Sequence, residues 1–382
     1  MVRSNPVRIL VWQWGRRGAG PLYALNMARA LNDQPETAVF VTYSTLNEQL
    51  DEFRALGIPH LEVGTFETMA QGLMKSLSLP SIRRELKKFL ISNSIDLVYC
   101  PMSHPWNAGM VSVLKELDLP LITTVHDAHR HPGDAHLIQD WIHERLEGVE
   151  REYACGYVTL STHIKEQLVQ RLRVPPERVA VIPLAAFEYS AGVRTTRSES
   201  NSLRILFLGR IQEYKGLDIL LAAYNIVSQE FGDRVQLTIA GSGDMTPYTQ
   251  SLAEVRRVKV VNTWLSDGEI SDLLADADVL AIPNRDPNMG PSGIVASAYG
   301  AGLPVVVTPV GSLPEQVIDG TTGLVAASIS PSDFAAPLAR LLTESGLVNE
   351  LSEGATQHAR ENLSWRQSAE ALLEFAAQFP TR

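Results

Sequence analysis

The chain is short of cysteine, of basic charge and of long apolar runs, and each shortage removes a class of protein. Two cysteines, Cys100 and Cys155, in 382 residues leave no disulfide framework for a small secreted scaffold, and a reducing compartment is expected. Lysine and arginine number 33 against 43 aspartates and glutamates, a formal charge of −10. A nucleic-acid partner needs a basic field, so none is expected. The opening stretch MVRSNPVRILVWQWGRRG has an apolar run too short for a signal peptide or a membrane span. A cytoplasmic protein is the natural expectation.

What is present is an ordinary globular composition, 45% apolar and 20% charged, in a chain too long for a single core. The 26 glycines and 22 prolines punctuate many short elements. Strands are expected at Arg8–Trp14, Ala38–Tyr43, Leu97–Cys100, Leu121–Val125, Tyr157–Leu160 and Val179–Pro183, with helix-length segments between them. From Phe187 to Ser202 the apolar periodicity disappears. It restarts with strands at Arg204–Leu208, Gln236–Ala240, Lys259–Val261, Val279–Ile282 and Val305–Thr308. Alternating strands and helices predict an α/β protein with two parallel, Rossmann-like sheets, separated near 190–202. The last amphipathic stretch, Trp365–Phe379, is expected to cross back and pack on the first domain.

Several motifs carry chemistry. The segment Pro283–Pro314 joins a buried strand to a glycine-proline-serine loop and a small-residue helix from about Ser292 to Gly300. A helix N-terminus offers unpartnered N–H groups and a partial positive charge, so this loop is expected to hold an anion. Arg210 follows a strand end and Lys215 precedes a helix; together they suit a diphosphate. Gly241-Ser242-Gly243 is expected to add backbone donors to the same cleft. Gly15-Arg16-Arg17-Gly18-Ala19-Gly20 reads GxxGxG rather than GxGxxG, which disfavours a dinucleotide site. It reads either as a tight turn or as a loop letting a substrate approach the backbone.

His126-Asp127-Ala128-His129-Arg130-His131, with Asp134 and His136, looks like a metal-ligand run. No second cluster completes it, so no metal is expected. His126 stands apart, at the carboxyl edge of a buried strand where open α/β sheets bind ligands; it can equally be a satisfied structural histidine. Asp276-Ala277-Asp278 reads as polar punctuation ahead of a strand. The basic amphipathic segment Ser81–Ser94 is either a surface helix packed on the sheet or a peripheral contact with the inner face of a membrane.

With Gly209-Arg210, Lys215-Gly216, IAGSGD at 239–244 and the block Pro283–Glu315, followed by DGTTGLV, the chain resembles a GT-B glycosyltransferase of family 4. The likeness is strongest over about 204–330. It implies two Rossmann-like domains facing each other across a cleft: 1–188 on the acceptor side and 203–362 binding the nucleotide sugar. Residues 363–382 return to the first domain. It further implies retaining transfer of a hexose from a nucleotide-diphosphate sugar, with a UDP-sugar such as UDP-glucose expected, to a hydroxyl of a saccharide or lipid-linked acceptor. No cofactor and no catalytic metal are implied.

By position, His126, Arg210 and Lys215 form the catalytic set, with Gly15, Gly18 and Gly20 facing the donor sugar. Gly209, Gly241, Gly243, Leu265 and the run Asp286, Met289, Gly290, Pro291, Ser292, Gly293, Ile294 and Ser297 line the donor. Trp264 and Leu265 lie near the nucleobase, and Glu315 near the cleft. The family's paired glutamates, E-x7-E, are absent: counting back from Gly302-Leu303-Pro304 places Met289 and Ser297 there. The block resembles a subgroup with Ser292-Gly293 at the helix start and Arg285-Asp286 before it. In that subgroup backbone amides at Gly290–Ser292 and Asp286 meet the sugar hydroxyls. Two rivals share these features, a GT-B sugar-nucleotide epimerase and a nucleotide-sugar-binding protein without catalysis.

Overall fold

The structure, a computed structural model, describes residues 6–129, 137–188 and 202–379. Apolar runs without alternation make strands covered on both faces, as parallel sheets require. Seven of them, β1 (Val7–Gln13), β2 (Thr37–Ser44), β3 (His60–Val63), β4 (Leu97–Cys100), β5 (Leu121–Val125), β6 (Gly156–Thr159) and β7 (Val179–Val181), form one sheet in the order β3-β2-β1-β4-β5-β6-β7. Six more, β8 (Leu203–Leu208), β9 (Val235–Ala240), β10 (Val258–Val261), β11 (Val279–Ile282), β12 (Val305–Val307) and β13 (Gly323–Val325), form a second, β10-β9-β8-β11-β12-β13. Both sheets are parallel throughout. The order reverses between β1 and β4, and again between β8 and β11. Crevices for ligands open at such switch points, beyond the carboxyl ends of the strands. The glycine loop after β1 and the Arg210–Lys215 turn after β8 both stand there.

The closing helix, Trp365–Ala376, begins with a capping box in which Ser364 and Gln367 exchange hydrogen bonds. Its Ala369, Leu372, Phe375 and Ala376 enter the core of the first domain beside Ile9, Val11, Tyr23 and Leu31. The chain therefore crosses between domains twice, and the crossings touch: Ala186 N–H donates to Leu363 O at 2.9 Å, and Trp365 Nε1 to Ala186 O at 2.9 Å.

Asp276 and Asp278 grip Arg204 at the amino ends of β8 and β11, the edge opposite the cleft, with contacts of 2.8 and 2.9 Å. The basic segment forms the helix Leu79–Ser92, and its Ile82, Leu86 and Leu90 are buried against the sheet. That apolar face belongs to the core, as the first of the two readings of this segment, a surface helix packed on the sheet, expects. Residues 189–201 of the expected linker, and Arg130, His131, Asp134 and His136 of the histidine run, lie outside the described residues. Among the described residues no helix is long and apolar enough to cross a membrane.

Candidate active site

On the second domain, Lys215 sits in a turn held hard against the loop that follows β11. Gly216 takes a φ of 68°, and a Cβ there would stand 1.9 Å from Pro283 O. Arg285 N–H donates to Tyr214 O at 2.9 Å. Lys215 is half-buried with Nζ 5.0 Å from the Tyr214 ring centre. Burial lowers its pKa to about 8, against the attraction of Asp127, and the like charge of Arg210 adds to the fall. Arg210 is exposed at the end of β8.

The loop and the Gly293–Gly300 helix correct one expectation. The amides thought to await a donor already hold the protein together. Gly209 N–H donates to Ala240 O at 3.0 Å, Gly241 N–H to Val261 O at 3.0 Å, and Gly243 N–H to Asn262 Oδ1 at 3.1 Å. Gly290 N–H donates to Asp127 Oδ1 at 2.7 Å and Ser292 N–H to Gln316 Oε1 at 2.6 Å; Pro291 has no N–H. The helical ladder starts with Val295 N–H on Ser292 O at 3.1 Å. Gly293 and Ile294 thus present the first N–H groups of the helix, where its dipole is positive.

Met289 is 3% exposed, with Sδ 2.9 Å from Asn284 Nδ2. Ser297 Oγ donates to Gly293 O at 3.1 Å, and Asp286 Oδ1 accepts from Asn288 N–H at 2.9 Å. Leu265 packs into the core with Ile270 and Leu273, whereas Trp264 is 47% exposed. The Arg17 guanidinium of the first domain lies 5.8 Å from the Trp264 ring centre.

On the first domain, Gly18 takes a φ of 83° and donates its N–H to Glu48. A Cβ at Gly20 would meet Met102 Sδ at 2.5 Å, and one at Gly15 would meet Gln13 Nε2 at 2.7 Å. Gln13 is fully buried and both polar atoms of its amide lack a hydrogen-bond partner. Ala19, first in its helix, faces Gly293 across the cleft, its Cβ 3.5 Å from where a Cβ on Gly293 would stand. His126 is half-buried with Nε2 2.8 Å from Pro101 O. A carbonyl accepts only, so Nε2 carries the proton and Nδ1 the lone pair. Burial lowers the His126 pKa, partly offset by Pro101 and Asp127, so the ring is neutral near pH 7.

The domains meet around these groups. A Cβ at Gly290 would stand 2.0 Å from His126 O, so only glycine permits the approach. Further along, Ser161 and Ser312 share a 2.8 Å hydrogen bond. Glu315 accepts from Thr162 N–H and His163 N–H at 2.7 Å each, capping the Thr162–Leu172 helix from the opposite domain. Gln49 Nε2 donates to Asp267 at 2.8 Å on the other side. Sequence reasoning missed Asp127 and Gln316 as site residues. Asp127 had a signal, its place beside His126 in Val125-His126-Asp127, but was read there only as part of a family motif and of a metal-ligand run, with no role of its own; Gln316 had none.

Two parallel sheets facing each other by their carboxyl edges, with the last helix returned to the first domain, define the GT-B architecture. Residues 21–185 match the model described as Glycosyltransferase Family 4, and residues 202–344 match Glycosyl transferases group 1. The D-inositol 3-phosphate glycosyltransferase of Actinosynnema mirum is 30% identical over 295 residues, covering 71% of this chain and 70% of that one. Its counterpart from Xylanimonas cellulosilytica is 27% identical over 405 aligned positions, covering 96% and 93%. Among solved structures, Anabaena HepE in complex with UDP and glucose superposes with a TM-score of 0.73 at 16% identity, covering 98% of this chain and 100% of that one. The chain belongs to the family 4 glycosyltransferases.

Proposed function

We propose that the protein is a retaining, metal-independent hexosyltransferase. It moves a sugar from a UDP-sugar such as UDP-glucose to a hydroxyl of a saccharide or lipid-linked acceptor. The observation that carries this reading is Lys215, a lysine desolvated beside a second cation, Arg210, at the switch point of the second sheet. Taking an ammonium even partly out of water is unfavourable; Asp127 offsets some of that cost, and a diphosphate on Lys215 and Arg210 would offset the rest. The UDP and glucose held by the Anabaena neighbour support the donor. The curated relatives, named for D-inositol 3-phosphate, support a polyhydroxylated acceptor.

In this reading the diphosphate lies on Arg210, Lys215 and the first N–H groups of the Gly293–Gly300 helix. The acceptor oxygen forms its bond to C1 on the face from which UDP departs, the C1–O–phosphate bond breaks, and the acceptor's proton passes to the leaving phosphate oxygen. A diphosphate is a good leaving group already, so stabilising its developing charge replaces the carboxylate pair that glycoside hydrolysis needs. His126, neutral with a lone pair on Nδ1, accepts a hydrogen bond from the sugar.

Arg210→Ala is expected to lower transfer about 10²-fold or more and to weaken UDP binding, with the wild-type rate persisting in EDTA. An Arg210→Ala rate near wild type overturns the assignment. Turnover of donor without acceptor would instead indicate an epimerase, and tight binding without turnover a binding protein.

The lipid-linked class of acceptor is supported by a surface on the first domain. Leu73, Met74 and Leu77 are 79%, 68% and 89% exposed. Residues 69–92 hold five cations, Lys75, Arg83, Arg84, Lys87 and Lys88, and one acid, Glu85; Glu116 of the next helix pairs with Arg83 and Lys87, which leaves the surface with a net positive charge. This surface would rest on the inner face of a membrane from the cytoplasm, a compartment that the two unpaired cysteines suit.

A further inference from the structure

We propose that Asp127 is the carboxylate that reads the hydroxyls of the donor sugar, delivered from the first domain to a place the second domain leaves without one. The inference rests on the transferase reading above and adds a residue to it.

The donor loop has carbon and hydroxyl where glutamates are expected. Met289 is turned into the core against Asn284, and the Ser297 hydroxyl is bonded to Gly293 of its own helix. Asp286 lies in the loop, but its Oδ1 turns back to the Asn288 N–H. Asp127 comes instead from across the cleft, its Oδ1 2.7 Å from the N–H of Gly290, the residue after Met289. Its position is fixed by the backbone, since the His126 carbonyl and Gly290 Cα are so close that no side chain fits between them.

The charges order the ligand. Asp127 is near enough to attract Lys215, so a diphosphate on Lys215 and Arg210 cannot also lie against Asp127, because the two anions repel. That repulsion favours the neutral polyol facing Asp127, with the diphosphate on the far side of Lys215. A carboxylate has about four acceptor sites, and the Gly290 N–H is one of the donors this one meets. Sugar hydroxyls are donors of the matching kind, and a vicinal pair can bond both carboxylate oxygens at once.

Titration calorimetry of wild type and Asp127→Asn with UDP, and with the UDP-sugar that wild type binds most tightly, tests this. Asn keeps an acceptor for the Gly290 N–H, and an unchanged unfolding midpoint checks the fold. Should Asn fail to fold, Asp127→Ala is measured in the same way. UDP affinity is expected to stay within about threefold, while the UDP-sugar is held roughly 10- to 100-fold less tightly, the range of a hydrogen bond to a charged group. Equal changes for UDP and UDP-sugar overturn the inference and make Asp127 a latch between the domains. No change in either overturns it as well, with the transferase reading intact. A wild-type protein that binds no UDP-sugar overturns both.

Discussion

Lys215 gives up part of its water on folding, and the attraction of Asp127 does not make up for it, so its pKa falls from 10.5 to about 8. Between those two values the unfolded chain binds the extra proton, and this residue's contribution to stability therefore rises with pH across that window. Ligand binding runs the other way, because a diphosphate needs the ammonium. UDP affinity is expected to fall by roughly tenfold between pH 7 and pH 9, as the charged fraction drops. Lys215→Arg should flatten the profile, since a guanidinium keeps its charge. Titration calorimetry across that range decides it, and equal slopes for both proteins would place the titrating group elsewhere. Arg210, Lys215 and His126 were singled out in the sequence because Arg210 and His126 stand just beyond apolar strand ends and Lys215 just before a helix. The amide donors were a different matter. Residue order shows that Gly290 carries an N–H, but its partner Asp127 lies 163 positions away. Only the docking of two domains reveals that the group is already used.

At the scale of the element, the long apolar runs became the central strands, and β1, β5 and β8 were plain in the sequence. Two of the four edge strands, β3 and β13, were not anticipated. β3 is four residues, with His60 exposed and Glu62 paired to Arg54 at 2.8 Å; β13 is three residues that begin with glycine. Neither is long enough to show a period, and each is a strand because a neighbour supplies its hydrogen bonds. The Leu79–Ser92 helix shows the opposite case. Its amphipathic period was correctly legible, but a period says that a face is apolar, not what covers it. The closing helix is covered by the first domain, and Leu372 is fully buried there. Leu372→Ala should cost about 2–5 kcal/mol in chemical denaturation followed at the first domain. UDP affinity should stay unchanged, because the proposed diphosphate site belongs to the second. A parallel loss of UDP binding would show that the helix also sets the cleft.

For the molecule as a whole, charge is unevenly placed: a chain of net −10 carries five cations and one acid along 69–92, still net positive once Glu116, paired with Arg83 and Lys87, is counted with them. An anionic surface attracts that face and repels the rest, which orients the molecule as well as binding it. In vesicle flotation the protein should rise with anionic vesicles and stay behind with neutral ones. High salt, or Arg84→Glu with Lys88→Glu, should release it; equal recovery on neutral vesicles would sink the proposal. The return of the last helix has a consequence in time. The first domain needs Ala369, Leu372 and Phe375 to complete the core they share with Tyr23 and Leu31 of the Ala19–Asn32 helix, yet those residues are made only after the entire second domain. At 5–20 residues per second, about 180 residues of synthesis leave that apolar face uncovered for roughly 10–35 s. The domain that begins the chain is the last to be finished. Throughout that interval the nascent protein offers chaperones, or its neighbours on the same message, a groove shaped for a helix that does not yet exist.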